Sequence, residues 1–145
     1  MNLEHSPAMI LRTALVDMSK GTFPLSNGTW PLYVGQFPDT PDEAVGIFDT
    51  SGQRDGRTQV DGVVHSHPGI QLRIRSNQYT AGYQKSNELR IALQTIKGKI
   101  VTIDTVQYTI LVVSQIGDIL SLGKSEEINK RDLFSINAQL ALDTL

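Results

Sequence analysis

Cysteine is absent from the 145 residues, which removes thiol catalysis, cysteine-held metal and any disulfide framework in one step. Surplus charge is also missing. The 13 lysines and arginines against 15 acidic residues leave a formal net charge of −2, so the chain offers no broad cationic field to nucleic acid or an anionic membrane. No apolar run approaches the roughly 18 to 20 residues of a membrane span. Met1 to Lys20 lacks the basic start and continuous apolar stretch of a signal peptide. The expectation is a soluble chain made in the cytoplasm, with no membrane partner. Aromatic residues make up only 6%, and no basic stripe is interleaved with them, which argues against direct nucleic-acid binding. What is present suffices for a core: 39% of the residues are hydrophobic, enough at this length for a single domain over 1–145 without staples.

The pattern along the chain alternates helical and extended periods. Ser6-Pro7 is a helix start signal, because serine caps and proline tolerates the first helical position. Met9, Ile10, Leu11, Ala14, Leu15 and Met18 form an apolar stripe as far as Lys20, with Gly21 as the expected stop. Trp30 to Val34 reads as a short edge segment among prolines and glycines. Ala44 to Asp49 is a strand candidate in which Gly46 suggests a bulge or a close neighbour. Ser51 to Gly69 holds four of the twelve glycines and reads as a long loop or a loose hairpin, the place to expect a partner contact. Ile70, Leu72 and Ile74 then alternate with Gln71, Arg73 and Arg75, a strand with one buried face and one wet, cationic face.

A helix follows, with Tyr79, Tyr83, Leu89, Leu93 and Ile96 at helical spacing, Asn77 as its cap and Gly98 as its left-handed close. Lys99–Ile103, Val106–Gln115, Ile119–Leu122 and Leu133–Leu142 complete the strands. Asp104-Thr105 and Ile116-Gly117-Asp118 are the turns, and Gly123 to Asp132 is a solvated connection of mixed charge. Together these predict an α+β fold: a mainly antiparallel sheet packed with an N-terminal helix and one central amphipathic helix.

Catalytic constellations are sparse. There is no Gly-x-Ser-x-Gly and no glycine loop closing on lysine for phosphate. His65-Ser66-His67-Pro68, with Ser76 downstream, resembles the metal-binding signature of the JAMM deubiquitinases. In that family two histidines and an aspartate hold zinc while a glutamate activates water, leaving an open position on the metal. The aspartate's place is taken here by Tyr79, and a neutral phenol is a poor ligand. Ser66 points away from its two histidine neighbours on an extended chain. The expectation is a protein that is not an enzyme and uses no metal or cofactor. A zinc isopeptidase built on His65 and His67 is the alternative from a different class.

A second resemblance covers most of the chain. The N-terminal helix, Val34-Gly35-Gln36-Phe37-Pro38-Asp39 with Pro41-Asp42, the strand ending Ile47-Phe48-Asp49-Thr50, and Gln71-Leu72-Arg73-Ile74-Arg75 leading into a helix are similar, in this order, to the minor capsid and tail terminator family of long-tailed phages. Asp118 to Gly123, then Lys130-Arg131-Asp132 and the strand through Asn137, continue the likeness. The resemblance implies a structural virion protein, made in the host cytoplasm, that forms a ring, commonly a hexamer, at the head-proximal end of the tail. Such a ring stops tail-tube polymerisation and offers a surface to the head-completion or connector protein, while genomic DNA passes through its lumen without specific binding. A head-tail adaptor is the nearest alternative. Within that expectation, Gln71, Arg73 and Arg75 are candidate subunit-interface residues, since arginine suits planar bidentate contacts; the solvated face of an edge strand is the plainer reading of the same row. Arg54 and Arg57 are candidates for a loop facing the lumen or the tube.

Overall fold

The computed structural model describes residues 3–24, 28–38, 40–57, 64–124 and 131–144, with the backbone alone for 53–57, 64–66 and 144. Helix α1 (Pro7–Asp17) starts as the Ser6-Pro7 signal predicts: the Ser6 hydroxyl accepts from the Met9 N–H at 3.3 Å. It ends earlier than expected, because Ser19 takes a left-handed φ of 60° before Gly21 is reached. Helix α2 (Tyr79–Thr95) has Gln78 at its cap position with no side-chain cap bond; Ser76 Oγ accepts the Gln78 N–H instead, in place of the expected Asn77 cap. Its C-terminus is closed by an extended Ile96, and Gly98 lies in the strand that follows.

Six strands, β1 (Leu32–Val34), β2 (Ala44–Arg57), β3 (Val64–Ser76), β4 (Lys97–Ile103), β5 (Val106–Lys124) and β6 (Asp132–Thr144), form one sheet in the order β1-β2-β3-β6-β5-β4. Its ladders are antiparallel except for the short parallel edge pair β1–β2. The α+β prediction holds. So does the Asp104-Thr105 turn, where both residues have positive φ and join Ile103 to Val106 as a two-residue hairpin.

Two strand expectations resolve to one of their alternatives, and a third needs correction. The stretch 51–69 is mostly ladder: β2 and β3 keep pairing through Gln53↔His67, Gly56↔His65 and Arg57↔Val64, with bulges after Thr50 and Gln53. The hairpin alternative is therefore the right one as far as the described residues reach; 58–63 lies outside them. Polar residues suffice here because strand pairing is a backbone matter, and glycine is needed at one crossing, where a Cβ on Gly52 would collide with the His67 carbonyl. Gly46 carries no bulge, since its register runs on undisturbed. It is instead a close approach, with the Phe48 ring 2.8 Å from where a Cβ would stand. Finally, Val106–Gln115 and Ile119–Leu122 are one strand: the expected turn at 116–118 is a bulge between Ile116↔Asn137 and Leu120↔Ser135.

Both helices lie on one face of the sheet. Ile10, Leu11 and Leu15 of α1 and Leu89, Ala92 and Leu93 of α2 share a single buried cluster with Ile47, Ile70, Leu72, Ile74, Tyr108, Phe134, Ile136 and Leu140. The burial of Phe134, Ile136, Ala138, Leu140 and Leu142 matches the predicted alternation. The stripe on α2 is rotated from the predicted one. Gly82, Lys85, Ser86, Leu89, Ala92 and Leu93 face inward, while Tyr79 and Tyr83 stay half exposed with their rings 5.3 and 6.2 Å from that of Phe134. Gly82 makes this possible: a Cβ there would stand 2.7 Å from Phe134 Cε2. The buried Lys85 donates to the Lys20 carbonyl at 2.6 Å, lies 3.5 Å from Glu88 and sits over the Trp30 ring, so it ties α2 to the end of α1. Burial pushes its pKa below the ordinary lysine value. At the other end of the core, the N–H of Ala8 donates to Asp49 Oδ1 at 3.0 Å, setting a carboxylate against the N-terminus of α1.

Candidate subunit interface

Among the described residues the other face of the sheet carries no helix, and the strand register says what stands on it. One row runs Tyr33, Gly46, Arg73, Ser135, Leu120 across β1, β2, β3, β6 and β5; the next runs Phe48, Gln71, Asn137, Ile116. Further along lie Ser114 beside Gln139, Val112 beside Ala141, and Ile100 beside Thr109. The middle of this face is polar and internally bonded. Arg73 Nε donates to Gln71 Oε1 at 3.1 Å, Gln71 Nε2 donates to Asn137 Oδ1 at 3.2 Å, and the Arg73 guanidinium lies 5.6 Å from the centre of the Phe48 ring.

Toward β5 and β4 the same face turns apolar. Ile100, Val112, Ile116 and Leu120, with Leu122 beyond the bulge, are each between 47% and 57% exposed. Scattered single hydrophobic residues on a surface need no explanation, but several on neighbouring positions of one uncovered sheet mark a contact surface. A polar, hydrogen-bonded centre flanked by exposed aliphatic side chains can bury area and fix register at once.

The predicted interface residues separate here. Gln71 and Arg73 are on the open face, as the alternation requires. Arg75 is not wet: it is 3% exposed, donates to the carbonyls of Pro41 at 2.6 Å and Asp42 at 3.4 Å, and lies 4.5 Å from the centre of the Phe37 ring. The segment before β2 folds over this end of the face and takes the guanidinium into the subunit. Arg131 and Asp132, read as part of a solvated connection, are also buried. Arg131 lies 3.4 Å from Asp42 Oδ1, and Asp132 lies 3.3 Å from Lys124 Nζ. The remainder of that connection, 125–130, falls outside the described residues.

Arg54 and Arg57 stand in β2 and His65 in β3, on the hairpin arm; their side chains lie outside the described residues. His67 is opposite Gln53 in the ladder. Tyr79, at the place where the zinc signature has its aspartate, opens α2 and lies against Phe134. Among the described residues no group of three or more histidine, cysteine, aspartate or glutamate side chains is placed to hold a metal ion, and no helix is long and apolar enough to cross a membrane.

The apolar part of the face was missed by the sequence pattern, and the reason is local. Reading Ile116-Gly117-Asp118 as a turn breaks β5 in two and loses the register that aligns Val112, Ile116 and Leu120. The available signal was the run Ile110-Leu111-Val112-Val113, apolar on both faces where only one is covered.

Residues 15–144 match a family described as "Bacteriophage tail terminator protein". No curated protein matches the sequence. One solved chain, 10% identical, superimposes with a TM-score of 0.48, covering 93% of this chain and 92% of its own.

Proposed function

The chain belongs to the bacteriophage tail terminator family, a structural protein of the phage tail, and from that premise we propose that it acts as a single unit closing into a homohexameric ring at the head-proximal end of the tail. There it stops polymerisation of the tail-tube protein and presents the surface to which the head-completion or connector protein docks. The observation that supports this reading is the uncovered sheet face, whose exposed aliphatic residues on β4 and β5 continue into the ordered Asn137–Gln71–Arg73 group. A monomer exposing such a face has reason to associate. Gln71 and Arg73 serve the subunit contact as its polar part, and Arg75 supports it from within by holding the segment before β2. The β2–β3 arm, whose sequence includes Arg54 and Arg57, serves as the lumen or tube contact. DNA passes through without being held, which suits a net charge of −2, since each phosphate bound by a fixed cation would add affinity that impedes sliding.

The test is the mass of the protein in solution, alone and mixed with the tail-tube protein of the same phage. A six-chain species, preformed or assembled on the tube and capping it at one end, is the expected result. A persistent monomer that ignores the tube would overturn the reading, and binding to the portal side in its place would mark a head-tail adaptor.

A further inference from the structure

Among the described residues the bare sheet face is one of two places where several exposed hydrophobic side chains stand on one element or on neighbouring strands. On the helical layer, Tyr79 and Tyr83 are 55% and 46% exposed on the flank of α2 beside Phe134, and Ile91, further round the same helix, is 49% exposed. The two tyrosines stand one turn apart with their rings against Phe134, which holds them in place rather than covering them. Because α2 packs on the covered face of the sheet, its outward side looks away from the bare face. The described residues thus carry an aliphatic patch on the bare sheet face and a tyrosine-rich one on the helical layer.

Resting on the ring reading above, we propose that these two patches are the two halves of one head-to-tail contact: the α2 patch of each copy seats on the β4–β5 patch of the next. A ring needs heterologous contacts, in which different patches meet and the rotation between them sets closure. A two-fold contact would use one patch twice and leave the other in water. The areas agree. Five aliphatic side chains about half exposed offer on the order of 400 Å², within the size range of functional patches on a monomer. The α2 residues add on the order of 300 Å², so their union supplies the apolar share of an interface at the lower end of the standard range, about 1,200 Å². Half-exposed tyrosines suit the role, bringing large rigid contact area with a hydroxyl left for the rim.

The experiment uses two single variants of the full chain, Ile116→Glu on the sheet patch and Tyr83→Glu on the helix patch, sized alone and mixed in equal amounts, with tube protein present if the wild type needs it to assemble. The expected result is that neither variant assembles alone, while the mixture gives a two-chain species and no ring, because each variant retains the patch the other lost. Either variant self-associating, or a mixture that stays monomeric while the wild type forms rings, overturns the pairing and leaves the ring standing. A wild type that never assembles overturns both. Ile91→Glu replaces Tyr83→Glu if the latter melts more than a few degrees below the wild type, since Ile91 makes no ring contact with Phe134.

Discussion

The two faces of this one sheet are built from neighbouring residues of the same strands, and they are held by different physics. On the covered face Leu72, Ile74, Phe134 and Ile136 are fully buried among residues of both helices, and their contribution is removal of apolar area from water. On the bare face Arg73, Gln71 and Asn137, from the positions between them, are joined by side-chain hydrogen bonds worth little net free energy each. The first face accounts for the fold of one subunit. The second, outside the end where Arg75 is covered by the segment before β2, contributes little to that fold, yet it presents apolar area on β4 and β5 that the subunit alone leaves in water. Stability and association should therefore separate by face when residues are changed one at a time.

The largest expected effect lies on the covered side. Phe134→Ala removes the ring against which Gly82, Tyr79 and Tyr83 are placed and should cost about 3–5 kcal/mol of unfolding free energy. Leu120→Ala, on the bare face, should stay within about 0.5 kcal/mol. Urea denaturation of the isolated subunit measures both. Equal losses would show that the bare face is part of the folding core.

A sharper version compares two arginines on one strand and one face. Arg75 gives its guanidinium to the Pro41 and Asp42 carbonyls under the Phe37 ring, out of water. Arg73, two residues earlier, bonds to Gln71 on an exposed surface. Hydrogen bonds from a buried charged donor are worth about 1.5–3 kcal/mol each, so Arg75→Ala should destabilise by about 2–3 kcal/mol, the segment before β2 losing its anchor. Arg73→Ala should change stability by no more than about 0.5 kcal/mol, with its effect appearing in assembly. Unfolding curves that rank Arg73 above Arg75 would contradict the geometry.

These pairs also show what was legible in the sequence. Alternation located the buried row of β6 and the two rows of β3, because a period of two is enforced wherever one face meets a core. It could not tell Arg73 from Arg75, since the difference comes from a segment more than thirty residues away in the chain folding over one end of the face. The start of α1 was legible, because a cap is a contact between near neighbours. The inward face of α2 was legible only in its second half, where Leu89 and Leu93 are buried as predicted: in the first half tyrosine is apolar enough to look like core, and the tight approach at Gly82 turns the buried side toward Lys85 and Ser86. The polar hairpin was half legible, because glycines and charged residues mark loops by their side chains while the ladder is made by the backbone. The candidate interface suffered most, since its alignment depends on one bulge that reads as a turn.

That bulge provides the smallest of the tests. Gly117 has a φ of 74°, and a Cβ there would meet nothing within 4 Å. Only backbone conformation opposes a side chain, and for alanine in the left-handed region the cost is about 1 kcal/mol. Gly117→Ala should therefore lower the melting temperature by about 3 °C at this chain length. Gly117→Asn should recover part of that, because asparagine tolerates the left-handed region. A true turn at the end of a strand would give the same two shifts in stability, so the discriminating reading is on the bare face. The bulge sets the register between Ile116↔Asn137 and Leu120↔Ser135, and straining it moves Leu120 relative to Ile116. If those two residues act in one contact surface, Gly117→Ala weakens assembly more than its loss of subunit stability accounts for, and Gly117→Asn restores both together.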